Sequence, residues 1–186
     1  ITFELRGFGY LGLPHYPEHN IWAYNAFQKG ESYKGLILKD AASAISLLRN
    51  HPLVDQSKIG ISGASYGGEV AVQYAALDIN IKAVSFHSYA GSTGIPSNLD
   101  NSSELPHLCH LLPGIDSWMS QEGWMWLLAP RNVHGVRGGG DQKDYLKNQK
   151  LYSKGFSDES KIKLEIIEGG HEYFIDSSIS FFNSVF

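Results

Sequence analysis

Three residues, far apart in the chain, are of the types that together carry out acyl transfer: Ser65, Asp141 and His171. Each stands on a glycine-rich turn. Ser65 lies in Gly63-Ala64-Ser65-Tyr66-Gly67, Asp141 follows Gly138-Gly139-Gly140, and His171 follows Gly169-Gly170. A serine hydroxyl is a poor nucleophile near neutral pH. An imidazole can take its proton during attack and return it to the leaving group, and a carboxylate can hold that imidazole in one tautomer and stabilise the imidazolium. The chain order Ser, Asp, His is the order that accompanies a serine in a G-x-S-x-G turn. Asp144 could serve as the acid instead. Asp141 is preferred because it directly follows the glycine turn, whereas Asp144 fits the start of a helix as its cap. Asp176 falls on the last helix. The remaining histidines, His15, His19, His51, His87, His107, His110 and His134, read as surface or hydrogen-bonded core residues. His107, Cys109 and His110 are spaced too tightly for the usual zinc patterns, so no metal and no cofactor is expected.

The elements that must position these residues follow from hydrophobic period and turn chemistry. Lys58 to Ser62 is a short apolar strand, and a helix carrying Val70, Ala71, Tyr74 and Ala75 follows the serine at once. A serine between such a strand and helix sits at the tip of a sharp turn with strained backbone angles. Gly63 and Gly67 flank it where a Cβ is expected to collide with the neighbouring strand or helix. The helix aims its positive end at the site, and the Tyr66 N–H is the natural donor to an oxyanion. Without the chemistry, the same stretch is a glycine-rich β–α turn of a doubly wound fold.

Elsewhere, Ile1 to Leu5 reads as a strand ending in the turn Arg6-Gly7-Phe8-Gly9. Residues 10–34 read as a long irregular loop whose aromatics pack on the body or line a pocket wall. Gly35 to about Asn50 is an amphipathic helix stopped by Pro52. Ile81 to Phe86, Val133 to Val136 and Lys161 to Ile167 are further strands. Gln121 to Leu128, Asp144 to Lys154 and Phe174 to Phe186 are helices. Residues 89–120 break the alternation and read as a cap or lid. Helices alternating with strands imply an α/β domain with a mostly parallel sheet covered on both faces. Its catalytic groups belong at the carboxyl ends of the strands.

With 186 residues, 42% hydrophobic and 18% charged, the chain is long enough for one domain with a sizeable core. A formal net charge of −4 without a basic patch argues against nucleic acid as a partner. No apolar run of membrane-spanning length occurs. Cys109 is the one cysteine, so no intrachain disulfide forms and the redox compartment stays open. The chain opens on Ile1 in what reads as the middle of a sheet. It is therefore expected to be the C-terminal portion of a longer protein, with compartment and oligomeric state undetermined.

These residues resemble the α/β-hydrolase superfamily, and within it the dienelactone hydrolase and acetyl xylan esterase-like group, over nearly the whole chain. The matching pieces are Arg6-Gly7-Phe8-Gly9, His51-Pro52-Leu53-Val54-Asp55 leading to Lys58-Ile59-Gly60, and Ala75 to Ala83. His107-Leu108-Cys109 with Pro113-Gly114, Leu128-Ala129-Pro130-Arg131, Gly-x-x-Asp at 138–141 and Gly-Gly-His at 169–171 complete them. The resemblance implies a three-layer α/β-hydrolase fold lacking its N-terminal strands, with residues 1–186 as a partial catalytic domain. It implies Ser65 as nucleophile, Asp141 as acid, His171 as base and a small-molecule ester as substrate, cleaved through an acyl-enzyme. The family's second oxyanion donor and one central strand would lie before Ile1, so the 186 residues alone are expected to be poorly soluble or inactive. Arg-Gly-Phe-Gly with Ser-Tyr-Gly-Gly also resembles prolyl oligopeptidase-type peptidases. A non-catalytic binding domain on the same fold is the third reading. His134 and Gly135 stand where strands of the family are usually apolar.

Overall fold

A computed structural model describes residues 1–11, 18–89, 108–139 and 142–186. The chain divides into two compact units, one of Ile1–Val54 with Gly94–Met119 and one of Asp55–Thr93 with Ser120–Phe186.

In the first unit the expected strand over residues 1–5 does not form. Ile1 and Phe3 are exposed, and among the described residues nothing offers them a ladder of backbone hydrogen bonds. The Glu4 carboxylate instead accepts the Tyr10 N–H at 2.6 Å, folding the segment back on itself. The expected loop over 10–34 is also corrected, because it contains helix α1 (Glu18–Gln28). This helix buries the small Ala23 and Ala26 while Ile21, Trp22 and Tyr24 stay exposed, so its apolar period is faint. Helix α2 (Tyr33–Arg49) is the amphipathic helix read from the sequence. Ser32 caps it by accepting the Gly35 N–H at 3.2 Å, and Tyr33, Ile37, Ala41 and Ile45 form its buried face. Arg6 forks onto Asp40 of α2, with Nε to Oδ2 at 2.5 Å and Nη2 to Oδ1 at 2.7 Å.

Most of the expected lid, residues 90–107, lies outside the described residues, as do 12–17. Its last part is a 3-10 turn, Leu108–His110, packed against α1, followed by turns to residue 118. The Asp116 carboxylate there accepts the Leu112 N–H at 2.6 Å, and the Trp118 indole donates to the Gly114 carbonyl at 2.8 Å.

The second unit is built on strands β1 (Gly60–Ala64), β2 (Ala83–His87), β3 (Asn132–Gly138) and β4 (Ile162–Ile167), with helices α3 (Tyr66–Leu77), α4 (Gln121–Trp126), α5 (Gln142–Ser153) and α6 (Ile175–Val185). All four strands are parallel and stand in chain order, β1-β2-β3-β4. A sheet that always grows toward the same edge through right-handed crossovers sets its connecting helices on one face. Accordingly α3, α4 and α5 pack in succession over one face, and α6 crosses β2 and β3 on the other. The register pairs Ala64 with His87, His87 with Val136 and Gly138 with Ile167, so the carboxyl ends form one rim.

Strand alternation sorts the side chains between these faces. Toward α3–α5 the sheet is apolar, with Val84, Phe86, Val133 and Leu164 buried. Gly135 belongs to this side. A Cβ there would stand 2.5 Å from both the Phe86 ring and Leu164 Cδ2, so the glycine that weakened the expectation of a strand is what admits the Phe86 ring. Toward α6 the sheet is polar, presenting Ser62, Ser85, His87 and His134. Ser178 of α6 meets Ser62, Ser85 and His87 by hydrogen bonds, and Phe181 stacks on His134 at 5.0 Å. His134 is further satisfied by Glu165 at 3.0 Å. The Glu165 carboxyl is held below its usual range by Lys163 and His134.

Arg131 ends the run Leu128-Ala129-Pro130-Arg131. Its guanidinium donates to the carbonyls of Ala75 (2.5 Å), Leu127 (2.7 Å) and Leu128 (2.8 Å), pinning the end of α3 to the residues after α4. Among the described residues the second unit is therefore a parallel α/β sheet flanked by helices on both faces, as the alternation of helices and strands implied.

Candidate active site

The rim of the second unit begins with the turn from β1 to α3. Ser65 occupies it with φ 53° and ψ −120°, one of two non-glycine residues with positive φ among those described. That conformation costs on the order of 1–3 kcal/mol. It is held from both sides: the Ser65 N–H donates to the His87 carbonyl at 2.8 Å, and the Ser65 carbonyl accepts the Glu69 N–H at 3.1 Å. Although Ser65 sits at the N-cap of α3, its side chain makes no capping hydrogen bond, and the residue is half-buried. Its Oγ is thereby left uncommitted to the cap of the helix it precedes.

The two glycines of the motif differ. A Cβ on Gly63 would stand 2.2 Å from the Gly67 carbonyl oxygen and 2.4 Å from its carbon. Gly67 itself would carry a Cβ with no described atom within 4 Å, so the expected collision there is not found. The crowding falls on Gly68 instead, where a Cβ would lie 3.0 Å from Tyr89 Cβ and 3.2 Å from the Gly63 carbonyl oxygen. The reason is geometric. In the first turn of α3 the Gly68 position faces back onto the β1 end, and the Gly67 position faces outward.

Tyr66 opens α3 and is buried. Helix geometry directs first-turn N–H groups out of the N-terminal end, where they favour negative charge.

The acid turn and the histidine turn lie against each other. A Cβ on Gly138 would stand 2.4 Å from the Gly170 carbonyl oxygen and 2.6 Å from Gly169 C. Gly139, at φ +53°, donates its N–H to the Ile167 carbonyl at 3.2 Å. Asp141 lies outside the described residues. Helix α5 begins at Gln142, two residues before the expected start, so Asp144 falls inside its first turn and not at its cap. Gly169 turns the chain with φ +143°, and the Glu172 carboxylate accepts the Gly170 N–H at 3.1 Å. His171 is exposed on this turn, and among the described residues no hydrogen bond joins its ring to Ser65. The structure thus gathers the Ser65 elbow, the 138–139 turn and the 169–171 turn on one rim.

Sequence reasoning passed over His87 as one histidine among several. It ends β2 beside the elbow and is fully buried. Its Nδ1 accepts the Phe174 N–H at 3.2 Å, and its Nε2 lies 2.7 Å from Ser178 Oγ and 3.0 Å from Ser85 Oγ. Burial first, and then the neighbouring His134, push its pKa down to about 4. The signal was present as the alternation Ser85-Phe86-His87, polar at every second position of a strand with no exposed face. Ser88, at φ 49°, completes the rim by donating Oγ–H to the Glu172 carbonyl at 3.0 Å. No group of three or more metal-ligating side chains occurs among the described residues, nor any helix long and apolar enough to cross a membrane.

The acetyl xylan esterase (AXE1) family model matches residues 17–89, a span running from the start of α1 through the elbow to just past β2. No curated protein matches the sequence. Among solved structures, a candidate acetyl xylan esterase of Bacteroides fragilis NCTC 9343 superposes with a TM-score of 0.67 at 18% identity, covering 88% of this chain and 45% of that one. A glucuronoyl esterase from Solibacter usitatus gives 0.63 at 15% identity, covering 84% and 50%. A CE15 glucuronoyl esterase from Teredinibacter turnerae T7901 gives 0.62 at 16% identity, covering 83% and 47%. The chain spans about half the length of these structures. The resemblance read from the motifs, to α/β-hydrolases of the acetyl xylan esterase-like group, is the one these comparisons return.

Proposed function

We propose that residues 1–186 form part of the catalytic domain of a serine carboxylic ester hydrolase, with Ser65 as nucleophile, His171 as general base and Asp141 as the acid that orients it. The observation that carries this reading is Ser65 itself. A non-glycine residue at φ 53° stands between the end of a parallel strand and the first turn of a helix, in a strained backbone conformation of the kind that a nucleophile elbow holds. The match of the elbow segment to acetyl xylan esterases supports it, as does the contact between the 138–139 and 169–170 turns.

In this mechanism His171 accepts the Ser65 hydroxyl proton as Oγ attacks the ester carbonyl, and the Tyr66 N–H donates to the oxyanion that forms. Collapse expels the alcohol, which takes the proton from His171, and leaves Ser65 acylated. Water then attacks the acyl group with His171 again acting as base, releasing the acid and restoring the serine. The substrate class we favour is a small acyl ester on a carbohydrate, because the matching family model and one of the similar structures are described as acetyl xylan esterases. The test is turnover of p-nitrophenyl acetate and of an acetylated xylo-oligosaccharide by the full-length protein and by Ser65→Ala. Loss of turnover in the variant, with the fold intact by circular dichroism, is expected. Equal rates would remove the assignment.

A further inference from the structure

His87 touches the proposed site from two directions at once. Its carbonyl accepts the Ser65 N–H at 2.8 Å, fixing the nucleophile elbow. Its ring nitrogen Nδ1 accepts the Phe174 N–H at 3.2 Å, three residues beyond His171. The ring also lies against Tyr173 and Phe174, with centroids 4.6 and 5.9 Å apart. Phe174 is the N-cap of α6 and has no side chain able to cap it. The imidazole of β2 therefore supplies the polar partner at the point where the histidine turn becomes α6.

Because Nδ1 accepts from a backbone N–H, the proton of the neutral ring sits on Nε2, facing the Ser178 and Ser85 hydroxyls. Ser178 and Ser85 lie 3.1 Å apart, Ser178 lies 3.1 Å from Ser62, and Ser62 accepts the Tyr173 hydroxyl at 3.1 Å. The network starts on the sheet, crosses α6 and returns to the same turn. A buried imidazole kept neutral is a costly way to fill space that an apolar side chain could fill. The one thing it adds at Nδ1 is an acceptor for Phe174.

We propose that His87 is a positioning residue, which sets the distance between the Ser65 elbow and the His171 turn through one backbone carbonyl and one ring nitrogen. The proposal rests on the esterase reading of the site. Positioning errors of about 1 Å cost rates on the order of 100-fold, so the effect belongs in kcat.

Two substitutions separate the roles of the two nitrogens. In His87→Asn the amide reaches the place of Nδ1 and can still accept the Phe174 N–H. In His87→Gln it reaches the place of Nε2, keeping a partner for Ser178 and Ser85 while leaving Phe174 without one. Kinetics on p-nitrophenyl acetate are expected to show kcat lowered about 10- to 100-fold in His87→Gln with KM within about twofold, and kcat within about threefold of wild type in His87→Asn. Equal kcat in the two variants would overturn the proposal, since a space-filling role does not distinguish the nitrogens. In the wild-type protein, nitrogen-15 NMR of the ring is expected to report the Nε2–H tautomer. An Nδ1–H tautomer would overturn the proposal even if neither variant folds. If the wild type shows no Ser65-dependent turnover, the esterase reading fails instead, and the tautomer still decides whether His87 holds the turn.

Discussion

Replacing Gly63 and Gly67 by alanine, one at a time, tests whether the elbow works as described. The G-x-S-x-G pattern treats its glycines alike, but the structure does not. In Gly63→Ala the new Cβ starts 2.2 Å from the Gly67 carbonyl oxygen, 2.4 Å from Gly67 C and 2.9 Å from Gly68 N. All three are backbone atoms of the first turn of α3, so no rotamer relieves the overlap. Restoring an ordinary contact means parting the end of β1 from α3 by about 1 Å, and Ser65 is the single residue joining them. Small-to-large changes of this kind cost about 1–3 kcal/mol, occasionally more, and a strand-to-helix displacement of about 1 Å is enough for a loss of about 100-fold in kcat. In Gly67→Ala no described atom lies within 4 Å of the new methyl and the position is helical. Its stability is expected to hold or to rise by up to about 1 kcal/mol, the helix preference of alanine over glycine. Urea unfolding followed by tryptophan fluorescence reads the first quantity as a shift in midpoint at constant slope. Labelling of Ser65 by a fluorophosphonate reads the second. A Gly63→Ala protein with wild-type midpoint and labelling rate, or a Gly67→Ala protein as damaged as Gly63→Ala, would refute the geometric account of the turn.

Two further predictions follow from buried contacts. His87 titrates at about 4 in the folded chain against an ordinary 6.5, so the unfolded chain binds more protons between those values. Its share of stability is therefore fully present above about pH 6.5 and is lost as pH falls toward 4, by up to about 3 kcal/mol. Unfolding free energy measured from pH 4 to 7 should lose about one proton of slope in His87→Asn, because the carboxylates cancel in the difference; an unchanged slope would refute the buried neutral ring. At Gly135, alanine is expected to destabilise by about 1–3 kcal/mol through contact with Phe86 and Leu164. Adding Phe86→Leu should recover part of that loss in a double-mutant cycle, whereas strict additivity would mean that the two positions do not meet.

What the sequence made legible divides along physical lines. The parallel sheet, the elbow and the order of helices were readable because each depends on a local pattern, such as Ile162 and Leu164 alternating in β4 or Ile37, Ala41 and Ile45 recurring in α2. The irregular course of residues 1–5 was not readable, because Ile1, Phe3 and Leu5 alternate as a strand does and only the absence of a ladder partner among the described residues decides the matter. Helix α1 escaped because its buried face is two alanines while its aromatic and branched residues stay in water. Gly67 and Gly68 could be told apart only with the helix in place. His87 escaped for a different reason. Its importance lies in which backbone groups stand next to it, the Ser65 amide and the Phe174 amide, and those belong to segments on either side of it in the chain.

The succession β1-β2-β3-β4 means that, among the described residues, each strand after β1 finds a partner in the strand immediately before it in the chain. Such a sheet can be laid down during synthesis as each strand leaves the ribosome, without waiting for a distant segment. Helix α6 is the exception, since it must swing back across the finished sheet to bring Ser178 onto Ser62, Ser85 and His87. The elbow can thus be shaped early, while the turn bearing His171 reaches its final place only when the last element of the unit closes. Maturation of the rim is in that sense a single late event, made by eleven residues.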